Sequence, residues 1–441
     1  MTATEQEQAT ADTKPLPVVE VGWLLVGAFD KALDQSARRA RGIFVRQMRE
    51  AFPQFEWRVP LVTLGGLRGE GVNAGVEPVA LLDAALEERE AHRWDFAIAI
   101  WPGELVGYER NAPLGAPSSA VGCAVLSAGR LWESCEDTND KACRRRSIEV
   151  TSTRIAHLSA HLLGHLVGIG HVGEPHGFMH PPHTVHDLDR MTGYTPATVA
   201  DLRDELADVA DPRLEEKAEI DADAPARSSA FARFAGRAGR LKFALLAAWQ
   251  NLDDVWRIVA RIKPWQIPRR LGRLTAAAAS SLVILLMTAE TWEAGMSQPA
   301  WRAAILSLAG LTIASGYVIH RQRLLIPEPR DGHPHLVRHD RPARLSEQRS
   351  VGNVAVSLAV VFGMITTYAA LFIASLLIAW CFYPPSVVES WAASVPRPVV
   401  FGRYLILSAF VASLCLLIGA LGAGFEPRGY VRHVAYVDEE V

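Results

Sequence analysis

The chain has 441 residues, with 45 Lys and Arg against 48 Asp and Glu and a formal net charge of -3. That length allows two or three domains, and the near-balance of charge excludes nucleic-acid binding driven by overall basicity. The average conceals two unlike halves, because almost every long apolar run lies after residue 270 whereas the first 225 residues read as α/β sequence.

Residues 1–17 are polar, acidic and rich in Ala and Thr, without the apolar core of a signal peptide, so they read as a disordered tail and the first domain is expected to stay on the side where it is made. Val18–Phe29 is a compact apolar run with β-branched residues and predicts a buried strand. Asp30 is placed to cap a helix reaching about Phe52, Phe55–Leu64 returns as a strand, Glu77–His92 has the spacing of an amphipathic helix, and Asp95–Trp101 is again a buried strand. Such alternation implies helices packed on a sheet. Ser118–Leu131 reads as an edge strand and its exit, Glu133–Arg146 as a charged surface loop, and Ser147–Gly168 as a helix. Thr195 and Pro196 open a closing helix through Ala210. The five cysteines contain no C-x-x-C pair, which argues against a disulfide framework or a cysteine–zinc site; Cys135 and Cys143 are near enough in sequence to pair, but a cytosolic location would keep them reduced.

The chemistry concentrates in His157–Met179, HLSAHLLGHLVGIGHVGEPHGFM. On a helix His161 and His165 lie one turn apart and face one point. Gly168 and Gly170 let the backbone leave the helix and bring His171 round as a third nitrogen. Three neutral imidazoles with an open fourth position make the catalytic type of zinc site. Read instead as a haem-bearing membrane helix, the run fits poorly, since three glycines, Ser159 and four histidines make a bad lipid-facing surface.

These residues resemble the metzincin zinc-peptidase signature H-E-x-x-H-x-x-G-x-x-H, with His161, His165, Gly168 and His171 in register. Met179, eight residues after His171, stands at the methionine-turn spacing of archaemetzincins. The resemblance implies a zincin-like α/β (α+β) domain over residues 18–212, with a mixed sheet, a metal-binding helix and a bound Zn2+. It also implies that Ala124, Val125, Leu126 and Ser127 form a cleft-edge strand for a peptide or protein ligand. One position departs: where the family has its general-base glutamate this chain has Leu162. Leucine neither takes nor gives a proton, and losing a positioned base forfeits on the order of 100- to 10,000-fold in rate. His157 and Glu174 are the nearest candidates for a substitute. The second zinc of those relatives uses two cysteines whose positions here hold Val172 and Gly177.

Residues 213–227 are an acidic linker, and 228–270 carry basic residues interleaved with aromatics, as in amphipathic helices lying on an anionic membrane surface. Four apolar segments follow, about Leu271–Ala289, Ala303–Ile319, Val354–Phe382 and Val399–Phe425, predicting an all-α transmembrane bundle over 271–425. The 320–350 loop carries seven Arg, so the positive-inside rule places it, the N-terminal domain and the 426–441 tail in the cytoplasm of a multi-pass cell-membrane protein. No acid or base interrupts the centre of the spans, apart from Arg403 near one end, which favours an anchor over a transporter. The expected partners are therefore the lipid bilayer and a peptide or protein ligand, with no nucleic acid. The functions left open are a metallopeptidase-lineage zinc protein impaired in proteolysis, an active peptidase using a substitute base, and a membrane scaffold or metal sensor.

Overall fold

The computed structural model describes residues 16–65, 75–107, 112–135, 140–210, 237–325 and 347–425, with the single residues 432 and 437. Nearly all of the expected tail, the acidic linker, the start of the basic stretch, most of the 320–350 loop and most of the C-terminal tail lie outside the described residues. The chain divides into two compact units, Met1–Lys217 with Val437–Val441, and Ala218–Tyr436.

The first unit begins with strand β1 (Val18–Val26), whose apolar run allows burial on both faces. Val19, Val21, Trp23 and Leu25 join the core shared with helices α1 (Lys31–Ala51) and α3 (Lys141–Val167). Leu24 and Val26 are equally buried but alternate to the other face, where helix α2 (Pro78–His92) packs on the sheet. Asp30 caps α1 as expected, its carboxylate accepting from the amides of Ala32 and Leu33 at 2.8 Å each.

The predicted Phe55–Leu64 strand is two pieces, β2 (Glu56–Arg58) and β3 (Leu61–Leu64), interrupted at Val59–Pro60. Proline supplies no amide to a ladder. Both pieces run parallel to β1 along different parts of it. Strand β4 (Phe96–Trp101) is buried throughout, and β5 (Gly115–Ser118) and β6 (Cys123–Ser127) form a hairpin. The sheet order is β2-β1-β4-β6-β5 with β3 beside β1, parallel except for β5, which makes it mixed.

Two expectations are corrected here, and a pairing left open is found closed. The strand holding Ala124, Val125, Leu126 and Ser127 is not the edge: β6 pairs with β4 on one side and β5 on the other, and the edge is β5. The metal helix begins at Lys141 rather than Ser147, because Asp140 caps it by accepting from the Ala142 amide at 2.8 Å. Cys135 and Cys143 are joined, the new helical turn bringing their Cα atoms to 5.9 Å. Helices α4 (Val185–Arg190) and α5 (Pro196–Ala210) complete the unit.

In the second unit α6 (Arg237–Gln250) and α7 (Leu252–Ile262) pack against the long α12 (Glu347–Cys381). A turn at Pro264–Gln266 and the short α8 (Ile267–Arg270) lead to α9 (Gly272–Leu286), α10 (Ala289–Ser297) and α11 (Ala300–Arg321). After α12 come α13 (Pro385–Trp391) and α14 (Phe401–Ala423). Helices α11, α12 and α14 are long and apolar enough to cross a membrane; α9 and α10, bent by 88°, make a fourth if counted as one broken span. The stretch Ala289–Ser297, between the first two expected apolar segments, is thus helical.

Small residues bring α9 and α14 together. A Cβ on Gly419 would lie 2.9 Å from the Ala278 Cβ, and one on Gly422 2.8 Å from that of Ala277. The start of α9 therefore lies beside the end of α14. At its other end the Leu286 carbonyl accepts from the Trp292 indole at 2.9 Å and from the Tyr383 hydroxyl at 3.0 Å. The helix break is thereby supplied with the partners its last turn lacks. Arg403 does the same for α10, donating to the Met296 carbonyl at 2.9 Å. Ser307, Tyr368 and Ser413 tie α11, α12 and α14 through hydroxyl contacts of 2.8 and 3.1 Å.

Candidate metal centre

The ligand geometry follows from how α3 ends. Gly168 takes φ 121°, a conformation open to glycine, and its amide closes on the Gly164 and His165 carbonyls. The chain turns back at once, so that the Ile169 carbonyl meets His165 Nδ1 at 2.9 Å. His161 Nδ1 meets the Phe178 carbonyl at 2.5 Å. Carbonyl oxygens only accept, so both rings donate from Nδ1 and, as neutral imidazoles, would offer the Nε2 lone pair to a metal.

Those lone pairs converge. His165 Nε2 lies 3.1 Å from His161 Nε2 and 3.2 Å from His171 Nε2. Two unprotonated nitrogens at that distance repel unless a cation sits between them. Tetrahedral zinc with bonds of about 2.0–2.1 Å would separate its nitrogens by about 3.3 Å. The spacing thus fits the group the donor set suggests, and among the described residues this is the one cluster of three or more His, Cys, Asp or Glu side chains arranged to hold a metal. His161 and His165 are buried and His171 is exposed, which leaves one side open to solvent.

Met179 is buried beneath α3, its carbonyl accepting from the Val172 amide at 2.9 Å. A Cβ on Gly164 would lie 2.2 Å from the Met179 sulfur. Gly164, no part of the expected site, is therefore what lets the methionine loop press against the ligand helix. The Tyr194 hydroxyl donates to the Ala160 carbonyl at 2.6 Å, and burial raises its pKa. Its place beside the ligand helix depends on the fold of the loop after Met179, which no local spacing announces.

Leu162 is fully buried and turned to the sheet edge. A Cβ on Gly115 would come within 3.1 Å of one of its methyl carbons and 3.3 Å of the other. Leu162 thus makes a dry wall that α3 shares with β5.

The two candidate substitute bases are not brought into the histidine cluster. His157 Nδ1 meets the Leu188 carbonyl at 2.7 Å, and its ring lies against Phe178 with centroids 5.3 Å apart. Burial lowers its pKa, so it stays neutral at pH 7. Glu174 is exposed on the loop after His171. Arg154, one turn before His157, pairs with two acids: it grips Asp189 by two hydrogen bonds of 2.7 and 2.8 Å and meets Glu133 at 2.7 Å. Burial would raise the Asp189 pKa, but the guanidinium outweighs it and holds the carboxyl below its ordinary range. This clamp fixes α4, and with it the Leu188 carbonyl, against the metal helix.

No protein-family model matches the chain, and no curated protein matches it. Among solved structures it is similar to an archaemetzincin from Methanopyrus kandleri, at 18% identity over 45% of this chain and 99% of that one, with a TM-score of 0.32. It is also similar to a zinc-dependent peptidase from Methanocorpusculum labreanum, at 17% identity over 41% and 99%, TM-score 0.31. An archaemetzincin from Archaeoglobus fulgidus, complexed with malonate, follows at 16% identity over 41% and 99%, TM-score 0.29.

Proposed function

We propose that this chain is a membrane-anchored, zinc-binding protein of metzincin lineage in which proteolysis is impaired. The observation that carries the reading is the convergence of three Nε2 atoms at 3.1 and 3.2 Å with two Nδ1 protons committed to carbonyls. When bound, zinc polarises a carbonyl and lowers the pKa of its water. His161, His165 and His171 would hold it. The remaining step of a peptidase, taking a proton from water and handing it to the leaving amine, would have no carrier at Leu162, and His157 is engaged with Leu188. Binding of a peptide or protein partner, or reporting of metal status, is the role left to such a site.

The anchoring half of the proposal rests on the apolar lengths of α11, α12 and α14, and on the side-by-side start of α9 and end of α14. Counting the bent α9–α10 pair as one short span, we read four crossings. Both flanks then share one side, which the Arg-rich 320–350 loop makes the cytoplasmic one.

The test is metal content of the purified full chain in detergent. About one zinc per chain is expected, lost in His165→Ala and retained in His176→Ala. An unchanged stoichiometry in His165→Ala refutes the ligand assignment. Chelator-sensitive peptide cleavage that vanishes with the same substitution refutes the impairment.

A further inference from the structure

We infer that α7 and the turn Lys263–Arg270 form a fixed collar that binds anionic phospholipid on the leaflet at the α9 entry, and that this collar marks one boundary of the bilayer. The inference rests on the membrane reading above and adds a lipid class and a depth to it.

Two separate contacts set the depth. Trp256 of α7 lies against Phe362 of α12 with ring centroids 5.8 Å apart. Ile267 of α8 fills the space beside Gly363, where a Cβ would come within 2.6 Å of its Cδ1. Both elements therefore meet α12 at one level. From Gly363 to Cys381 is 18 residues, about 27 Å at about 1.5 Å per residue, close to the bilayer's hydrocarbon thickness of about 30 Å. At the far end stand Trp301 and Trp380, 60% and 53% exposed. At the near end stand Trp256 and Trp265, 51% and 56% exposed. Two belts of exposed indoles, one hydrocarbon thickness apart, are the pattern of the two interfaces.

Charge separates the belts. Between Asp253 and Arg273 there are six Lys or Arg (Arg257, Arg261, Lys263, Arg269, Arg270, Arg273) against two Asp. Around the far belt, residues 289–302 and 382–403 hold three Arg and three Glu. Lys263 and Arg269 are exposed and flank Trp265. The apolar stripe of α7 (Val255, Val259, Ile262) is buried. What remains outward is Leu252, Asp253 and Asp254 at the start of α7 and then single tryptophans with Lys263 and Arg269, the make-up of a headgroup layer rather than of a continuous apolar patch for a protein.

The experiment uses the full chain in phosphatidylcholine nanodiscs containing a minority of phosphatidylglycerol, with bromine on the acyl chains of one lipid or the other at equal mole fraction. Subtracting Trp265→Phe from wild type isolates the Trp265 fluorescence, and Trp380→Phe does so for the far belt. Brominated phosphatidylglycerol is expected to quench Trp265 more strongly than brominated phosphatidylcholine, with no such preference at Trp380. The preference should fall by about five-fold for Lys263→Gln and about 30-fold for Lys263→Gln with Arg269→Gln. Equal quenching by the two lipids in wild type overturns the lipid class without relying on any variant of the cations. Quenching of Trp380 but not Trp265 places the collar outside the bilayer, free for a protein partner, and overturns the inference while leaving the anchor intact. Quenching of neither overturns the membrane reading itself.

Discussion

Leu162 occupies the position where a zinc peptidase of this pattern needs a carboxylate, and the structure shows that it is more than an omission. Its methyls fit the bare Cα of Gly115 in the edge strand, so the helix and the sheet edge close on one another at the place a glutamate would face solvent. A buried carboxyl there is desolvated, which raises its pKa and opposes folding. Leu162→Glu is therefore expected to lower stability by about 1–3 kcal/mol and to leave peptide hydrolysis at the wild-type level. Denaturation followed by circular dichroism reads the first, and a fluorogenic peptide assay with and without chelator reads the second. A chelator-sensitive gain on the order of 100-fold or more would show instead that the cleft is intact and lacks only its base. The ligand histidines themselves are legible in sequence, because a helical i,i+4 pair followed by a glycine turn is a purely local pattern. Gly115 is not, since its meaning depends on a residue 47 positions later.

At the scale of elements the metal helix is held from three sides: by α1 alongside, by the Arg154–Asp189 clamp to α4, and by the methionine loop below. The loop contact depends on a missing side chain. Gly164→Ala places a methyl 2.2 Å from the Met179 sulfur, so the methionine side chain must give way, and we expect the loop to move with it and displace the Phe178 carbonyl that orients His161. The expected result is a loss of about 1–3 kcal/mol of stability and zinc affinity weakened by about 10- to 100-fold, read by competition with a chromophoric chelator. Ala at Gly170, where a Cβ meets nothing within 4 Å, is the control. Unchanged affinity in Gly164→Ala would separate the methionine loop from the metal site. The principal helices and buried strands follow from apolar periodicity, and Asp30 caps where its side chain says it should. The failures are instructive in the same terms. The start of α3 is masked by the charged surface of its first turns, and β5 hides as four residues, Gly-Ala-Pro-Ser, with little strand propensity of their own. Its pairing with β6 supplies what local preference does not.

For the whole molecule, two cues about compartment point in opposite directions. On the orientation we propose, the Arg-rich stretches put the first unit in the cytoplasm, where thiols are kept reduced. Yet Cys135 and Cys143 are bonded across an eight-residue separation at the head of the metal helix. Their Cα distance of 5.9 Å is accessible to the thiols as well as to the disulfide, whereas the Arg asymmetry is spread over many residues and is not undone by one bond. We therefore expect both thiols to be free in cells and the bond to close on exposure to a disulfide oxidant. Acid-quenched cells, alkylated with a mass-tagged maleimide without reductant, should show two more tags in the wild type than in the double Cys135→Ser, Cys143→Ser variant. Prior treatment with the oxidant should remove that difference. If the wild type lacks the two tags until reductant is added, the first unit faces an oxidising compartment. The orientation of all four crossings then reverses, and the cationic collar moves to the outer leaflet with it.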